Sequence, residues 1–160
     1  MIRIALDAMG SDNAPRVEVE GAVQALRELP PTFRIQLVGR TKDIEGALRE
    51  APGAERSRLD VIDAPEVVGM GEKPLAAVRG KPKSSIAVGL GLQKQGESDA
   101  FISAGNTGAV MAAATLILRL HAGVQRPAIG ALFPTAKHPV LVLDAGANVD
   151  CDPRELVGFA

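Results

Sequence analysis

Short β-forming runs alternate with helical stretches along most of this 160-residue chain. That order is typical of βαβ units, in which parallel strands form a sheet and the connecting helices cover it. We therefore predict an α/β protein with an open, mainly parallel sheet and helices on both faces. Five strands are predicted: Ile2–Leu6, Arg34–Val38, Leu59–Ile62, Ala100–Ser103 and Val140–Asp144.

Four helices are predicted between these strands, at Pro15–Leu29, Thr41–Glu50, Ser84–Gln95 and Thr107–His121. Pro15 is expected in the first turn of its helix, where a missing N–H costs nothing. Thr41 is expected to cap the second helix, and Thr107 or Asn106 the fourth, because their side-chain oxygens accept bonds from free N–H groups. Ala64–Lys83, rich in Gly, Pro and Lys, is expected to be one long connection.

The last residues predict a further helix start. Asp152 is an acidic cap, Pro153 takes the first helical position, and Glu155 follows three residues after the cap. Apolar residues follow directly, and the sequence stops at Ala160 after fewer than three turns. We expect residues 1–160 to be the N-terminal part of one α/β catalytic domain, the alternative being a short docking helix.

Charge and composition exclude several classes of protein. The 18 basic and 19 acidic residues leave a formal charge of −1, and four Phe with no Trp or Tyr offer few stacking platforms, so nucleic acid is not an expected partner. A single cysteine, Cys151, excludes an intramolecular disulfide, and residues 1–4 begin a strand rather than a signal peptide. The longest apolar runs are far shorter than the roughly 20 residues of a membrane span. A cytoplasmic protein is expected.

The segment Ser103–Gly108, SAGNTG, carries the clearest functional signal. It follows an apolar strand and precedes a helix rich in small residues. The first turn of a helix presents free N–H groups and the positive end of the helix dipole, and glycines let a ligand approach the backbone. The order predicts a site for a phosphate, a carboxylate or a developing alkoxide. A tight structural turn is the alternative.

Three further segments follow predicted strands, and ligands of open α/β sheets bind at the carboxyl ends of strands. Asp7 opens a turn that leads to Pro15, and could equally be simple turn chemistry. Cations and hydroxyls gather between Arg79 and Ser85, where they suit a phosphate unless they are a solvated face. Asp144 and Asn148 leave the fifth strand together. We expect the four segments to converge on one site.

Other chemistries lack their motifs. The chain has no GxxxxGK[ST] phosphate loop, and Gly69-Met70-Gly71 lacks the third glycine of a dinucleotide fingerprint. His121 and His138 have no cysteine or carboxylate at metal-ligand spacing, so no metal is expected. Cys151 has no neighbours that would activate a thiol. No cofactor is predicted.

Five motifs resemble PlsX-type phosphate acyltransferases of bacteria, in that family's order and across nearly the whole chain. They are ALDAMGSDNAP at 5–15, AVRGKPKSSIAVG at 77–89, DAFISAGNTGA at 99–109, RPAIGALFP at 126–134 and LDAGANVDC at 143–151. The resemblance implies a fold similar to phosphate acetyltransferases and isocitrate-dehydrogenase-like enzymes. It also implies transfer of a fatty acyl group from acyl carrier protein to inorganic phosphate, giving acyl phosphate for phospholipid synthesis.

Further expectations follow from the resemblance. The protein is expected to form a homodimer and to meet the downstream glycerol-3-phosphate acyltransferase peripherally at the inner face of the membrane. Two readings remain open beside it: a phosphate acetyltransferase-like enzyme that uses a coenzyme A thioester, and a non-catalytic phosphate-binding module.

Each candidate residue takes a role in that reaction. Phosphate is already a nucleophile, so the enzyme must supply placement and charge stabilisation. Asn106 and Thr107 are expected to bind the oxyanion or the phosphate, with Asp144 and Asn148 orienting the groups. The remaining candidates are expected to bind phosphate or substrate: Arg79, Lys81, Ser84, Ser85, Ser103, Gly105, Gly108 and Asp7.

Overall fold

A computed structural model of the chain describes residues 1–51, 53, 55–146 and 148–160. They form two compact units, Met1–Leu118 and Arg119–Ala160, which are described separately. Ala147, which belongs to the predicted turn Asp144–Asn148, lies outside the described residues.

The first unit is built on a four-stranded parallel sheet. Its strands are β1 (Ile2–Asp7), β2 (Phe33–Gly39), β3 (Leu59–Asp63) and β4 (Ala100–Ile102), in the order β3-β2-β1-β4. Ile4 of β1 pairs with Ile35 on one side and with Ala100 on the other. The predicted parallel sheet is therefore confirmed for its first four strands, and the carboxyl ends of β1 and β4 are neighbours.

Four helices connect these strands: α1 (Arg16–Glu28), α2 (Thr41–Glu50), α3 (Pro74–Gly80) and α4 (Ser85–Gln95). A fifth helix, α5 (Thr107–Ile117), follows β4, and a 3-10 turn lies at Arg56–Arg58. Successive strand residues point to opposite faces, so Leu37 and Val38 enter different cores. Leu37 packs with Val19 of α1, and Val38 packs with Leu92 of α4. Helices on both faces of the sheet are thus confirmed.

Several predicted boundaries and caps were wrong. Thr41 is the first residue of α2 rather than its cap, and its hydroxyl donates to Asp63 Oδ1 at 2.7 Å. Pro15 precedes α1 as its cap residue, and α5 ends at Ile117 instead of His121. The predicted connection Ala64–Lys83 contains α3, a helix of seven residues that is too short to show a clear apolar period.

The second unit contains a hairpin and a short helix. Strands β5 (Gly130–Phe133) and β6 (Val140–Leu143) pair antiparallel, so the prediction of β6 as a fifth parallel strand was wrong. Strand β5 was not predicted from the sequence, and its pairing with β6 forms an antiparallel hairpin. Helix α6 (Pro153–Phe159) begins as predicted: the Asp152 carboxylate accepts from the Glu155 N–H, and the Glu155 carboxylate accepts from the Asp152 N–H.

No helix within the described parts of the chain combines the length and the apolar character needed to cross a bilayer.

Two glycines of α4 provide a matched test of the packing. A Cβ on Gly89 would stand 2.3 Å from the Phe101 ring, whereas a Cβ on Gly91 would meet nothing within 4 Å. We expect Gly89→Ala to destabilise the fold by about 1–3 kcal/mol through overpacking. Gly91→Ala should stabilise it by roughly 0.5–1 kcal/mol, because alanine loses less backbone entropy in a helix. Urea unfolding measures both, and a stabilised Gly89→Ala would contradict the packing of α4 on β4.

Candidate functional site

The loops that follow β1 and β4 are joined by one buried carboxylate. Asp7 ends β1, and its Oδ1 accepts from the Met9 N–H at 3.0 Å. The hydroxyl of Ser103, the first residue after β4, donates to Asp7 Oδ2 at 2.7 Å and accepts from the Gly105 N–H at 3.0 Å. Asp7 and Ser103 therefore fix the turn Ser103–Gly108 on the end of β1.

Gly10 brings the two loops into close approach. A Cβ on Gly10 would stand 2.8 Å from the Gly105 nitrogen and 3.0 Å from Asp7 Oδ2. Backbone atoms on the opposing loop cannot move aside as a flexible side chain can. Glycine is needed here for space, because any side chain would push the β1 loop away from the turn.

Asn106 joins the turn to a second loop while it caps α5. Its Oδ1 accepts from the Ala109 N–H at 3.0 Å, which is the N-cap bond. Its Nδ2 lies within 3.1–3.3 Å of the carbonyl oxygens of Gly69, Met70 and Glu72. The amide of Asn106 thus holds the segment Val67–Glu72, which we call the Gly69 loop, against the start of α5.

Glu72 closes the Gly69 loop from its other side. Its Oε1 accepts from the Gly69 N–H at 2.6 Å and from Lys81 Nζ at 2.5 Å. Lys81 Nζ also donates to the Val67 carbonyl at 2.8 Å. The bond from Lys81, and next the bond from the Gly69 backbone, lower the pKa of Glu72 below its ordinary value. Lys81 is therefore engaged with this loop.

Two backbone donors at the start of α5 have no acceptor in the described part of the chain, the N–H groups of Thr107 and Gly108. Thr107 is exposed, so its hydroxyl lies on the surface beside them. Pro74, the first residue of α3, lies next to Gly108: its Cγ is 2.7 Å from where a Cβ would stand. These donors carry the positive end of the α5 dipole. The arrangement can accept an anion or a developing oxyanion.

The other predicted phosphate ligands of the first unit are placed differently. Ser84 is buried and caps α4, where its hydroxyl accepts from the Ala87 N–H at 3.3 Å. Ser85 is also buried, and its N–H donates to the Glu66 carbonyl. Arg79 is exposed on α3 and forms no ion pair with any described residue. Of these three residues, only Arg79 is exposed to solvent.

Asp144 and Asn148, in the second unit, bind each other. Asn148 Nδ2 donates to Asp144 Oδ1 at 2.8 Å and to the Pro127 carbonyl at 3.0 Å. Asp144 has a φ of 56°, a left-handed conformation that aspartate tolerates better than most residues. Asp144 and Asn148 therefore bond to each other within the second unit, and their role in orienting other groups stays a prediction.

Cys151 lies beside this pair, with its Sγ 3.7 Å from Asp144 Oδ2. Burial first, and then the charge of Asp144, raise the pKa of the Cys151 thiol. A raised pKa disfavours the thiolate, which is the nucleophilic form. Within the described residues, no three His, Cys, Asp or Glu side chains are grouped so that they could hold a metal ion.

The structure thus brings Asp7, Ser103, Gly105, Asn106 and Lys81 into one connected set of loops around the start of α5. Sequence reasoning missed Glu72 as the residue on which the Gly69 loop closes. The available signal was a carboxylate in a glycine-rich segment nine residues before Lys81. It was not informative alone, because the intervening helix α3, which sets their separation in space, was not predicted.

Comparison with known proteins identifies the relatives of this chain. The family model described as "Fatty acid synthesis protein" matches residues 2–160. A phosphate acyltransferase of Salinibacter ruber is 51% identical over 158 residues, which cover 99% of this chain and 47% of that protein. A phosphate acyltransferase of Desulforamulus reducens is 52% identical over 161 residues, covering 100% of this chain and 47% of the relative. The chain spans about half the length of the curated relatives it matches.

Proposed function

The chain belongs to the fatty acid synthesis protein family, that of the PlsX-type phosphate acyltransferases, and on this premise we propose that it carries the phosphate site of an acyltransferase. The proposed reaction moves a fatty acyl group from acyl carrier protein to inorganic phosphate. A phosphate oxygen forms a bond to the thioester carbonyl carbon, the carbon–sulfur bond breaks, and the carrier thiolate takes up a proton. The product is an acyl phosphate for phospholipid synthesis.

One observation carries this proposal: the N–H groups of Thr107 and Gly108 have no acceptor among the described residues, in a turn that is bonded to Asp7 through Ser103 and to the Gly69 loop through Asn106. Two adjacent donors at a helix start bind a phosphate oxygen, or stabilise the oxyanion that forms on the thioester carbonyl. The Thr107 hydroxyl adds a third donor. Loss of one such donor typically reduces turnover by about 10²–10³-fold.

The side chains around the turn hold it in place for the reaction. Phosphate needs no general base, so catalysis rests on placing it beside the thioester, which for well-oriented groups contributes about 7–11 kcal/mol. Asp7 and Ser103 keep the turn on the sheet, and Asn106 keeps the Gly69 loop on the turn. We assign Asn106 this holding role in place of direct oxyanion contact, because its amide protons already face backbone carbonyls.

Arg79 is the cation best suited to meet an incoming anion, since it is exposed and unpaired within the described residues. It would attract phosphate or the acidic groups of an acyl donor. The expectation that Asp144 and Asn148 orient the reacting groups is also part of the proposal. The homodimer and the peripheral contact with the next acyltransferase are further parts of the proposal.

The test is release of carrier thiol from a long-chain acyl carrier protein, with and without inorganic phosphate. We expect phosphate-dependent release, with an acyl phosphate that hydroxylamine traps as a hydroxamate. Faster reaction with the coenzyme A thioester would favour the acetyltransferase-like reading. The same assay on a chimaera, with residues 1–160 in place of the matching half of the Salinibacter ruber protein, supplies the remaining length. Phosphate binding without release of carrier thiol, by both the chain and the chimaera, would favour the alternative of a non-catalytic phosphate-binding module.

A further inference from the structure

The Gly69 loop depends on polar bonds for its position. Val68 is the loop residue that enters the core, with 6% of its surface exposed, whereas Met70 is 61% exposed. Gly69 and Gly71 contribute no side chain, and glycine leaves the backbone with more freedom than any other residue. One apolar anchor does not fix the orientation of six residues. The bonds to Asn106, Glu72 and Lys81 must do so.

These bonds form a closed circuit around the start of α5. Asn106 holds the loop carbonyls from the α5 side. The Glu72 carboxylate accepts from the Gly69 N–H and from Lys81, which is the residue that follows α3. At the other end of α3, Pro74 lies against Gly108, one of the two free donors. Loss of the Glu72–Lys81 ion pair is therefore expected to displace both the Gly69 loop and α3, and with them the surroundings of the Thr107 and Gly108 N–H groups.

We propose that Glu72 and Lys81 are positioning residues that hold the Gly69 loop and α3 against the anion-binding turn, and that Lys81 acts on phosphate through Glu72. This inference rests on the proposed function, because it concerns the same phosphate. It assigns Lys81 a different task from the direct contact expected from the sequence. The Lys81 ammonium group already donates to the Glu72 carboxylate at 2.5 Å and to the Val67 carbonyl at 2.8 Å.

A double-mutant cycle tests this assignment. Glu72→Gln keeps an acceptor for the Gly69 N–H but removes the charge that pairs with Lys81, and Lys81→Met removes the cation but keeps the apolar stem. The dissociation constant for inorganic phosphate is measured by calorimetry on the 160-residue chain. We expect each single variant to bind phosphate about tenfold more weakly than the parent chain. The double variant should bind no more weakly than the weaker single variant, because both substitutions break the same Glu72–Lys81 ion pair.

Direct contact between Lys81 and phosphate gives a different result. Lys81→Met would then weaken binding by the same factor in the Glu72→Gln background as in the parent chain, which would overturn the proposal. Lys42→Met, on the exposed side of α2, is the matched control for loss of a positive charge. Its phosphate affinity should equal that of the parent, and an equal loss at Lys42 would also overturn the proposal.

Amide hydrogen exchange separates positioning from loss of the fold. We expect faster exchange at Gly69 in both single variants, with unchanged protection at Leu37 in the buried strand β2. Unchanged exchange at Gly69 would contradict the proposed positioning. A parent chain that binds no phosphate would overturn the proposed function together with this inference, whereas normal phosphate affinity in all variants would overturn the inference alone.

Discussion

Replacement of Asn106 by aspartate is expected to abolish most of the acyl transfer while α5 remains capped. The Oδ1 acceptor for the Ala109 N–H is kept, but an anionic oxygen replaces the Nδ2 that faces three carbonyl oxygens at 3.1–3.3 Å. Repulsion should drive the Gly69 loop from the turn. We expect turnover to fall by about 10²-fold, the usual cost of a displacement near 1 Å. Acyl carrier protein thiol release measures it.

Asn106→Ser is the matched control. Serine is a good N-cap residue but offers neither the amide donor nor the new charge. Its free energy of unfolding should fall by about 1–3 kcal/mol, because loop carbonyls lose their donor without meeting an anion, and its turnover should lie between parent and Asn106→Asp. Full activity in Asn106→Asp, with normal exchange at Gly69, would show that the contact between loop and turn is dispensable.

Gly10→Ala is expected to separate the loops that follow β1 and β4. The added Cβ would meet the Gly105 nitrogen at 2.8 Å, so the turn, the β1 loop or both must shift. We expect a loss of about 1–3 kcal/mol in the free energy of unfolding from overpacking, and about a 10²-fold loss of turnover from the displaced turn. Urea unfolding and thiol release are measured on the same preparation.

Gly21→Ala is the corresponding control, since a Cβ at that position of α1 meets nothing within 4 Å. It should gain roughly 0.5–1 kcal/mol of stability and keep the parent activity. Parent-like turnover in Gly10→Ala would mean that the close approach of the two loops has no part in the reaction.

The parallel sheet was predictable because its signal is local and repeated. The run Phe33–Gly39 is apolar enough to be buried on both faces, and it lies between α1 and α2, which each bury one apolar face. The turn Ser103–Gly108 was likewise visible, since glycine and capping residues at a strand–helix junction have few other uses. The rule that ligands bind at the carboxyl ends of parallel strands predicted Asp7 and this turn in one region, but it did not predict the bond between Asp7 and Ser103.

The roles of individual side chains were less predictable, because they depend on distances between segments far apart in the chain. Asn106 and Glu72 are 34 residues apart, yet the Asn106 amide donates to the Glu72 carbonyl. Lys81 was placed among phosphate ligands by composition, and its partner could not be identified before α3 was known. The direction of β6 was also wrong, since a run of four apolar residues does not reveal whether its neighbour is parallel.

The most direct measurement is a titration of the ¹⁵N-labelled chain with inorganic phosphate, followed by the amide resonances of Thr107 and Gly108. We expect large, saturable shifts at these two amides, with smaller shifts across the Gly69 loop, and weaker binding in Gly10→Ala. Shifts centred instead on Ser85 and Ile86 at the start of α4, or no saturable shift at Thr107 and Gly108, would contradict a phosphate site on the Ser103–Gly108 turn.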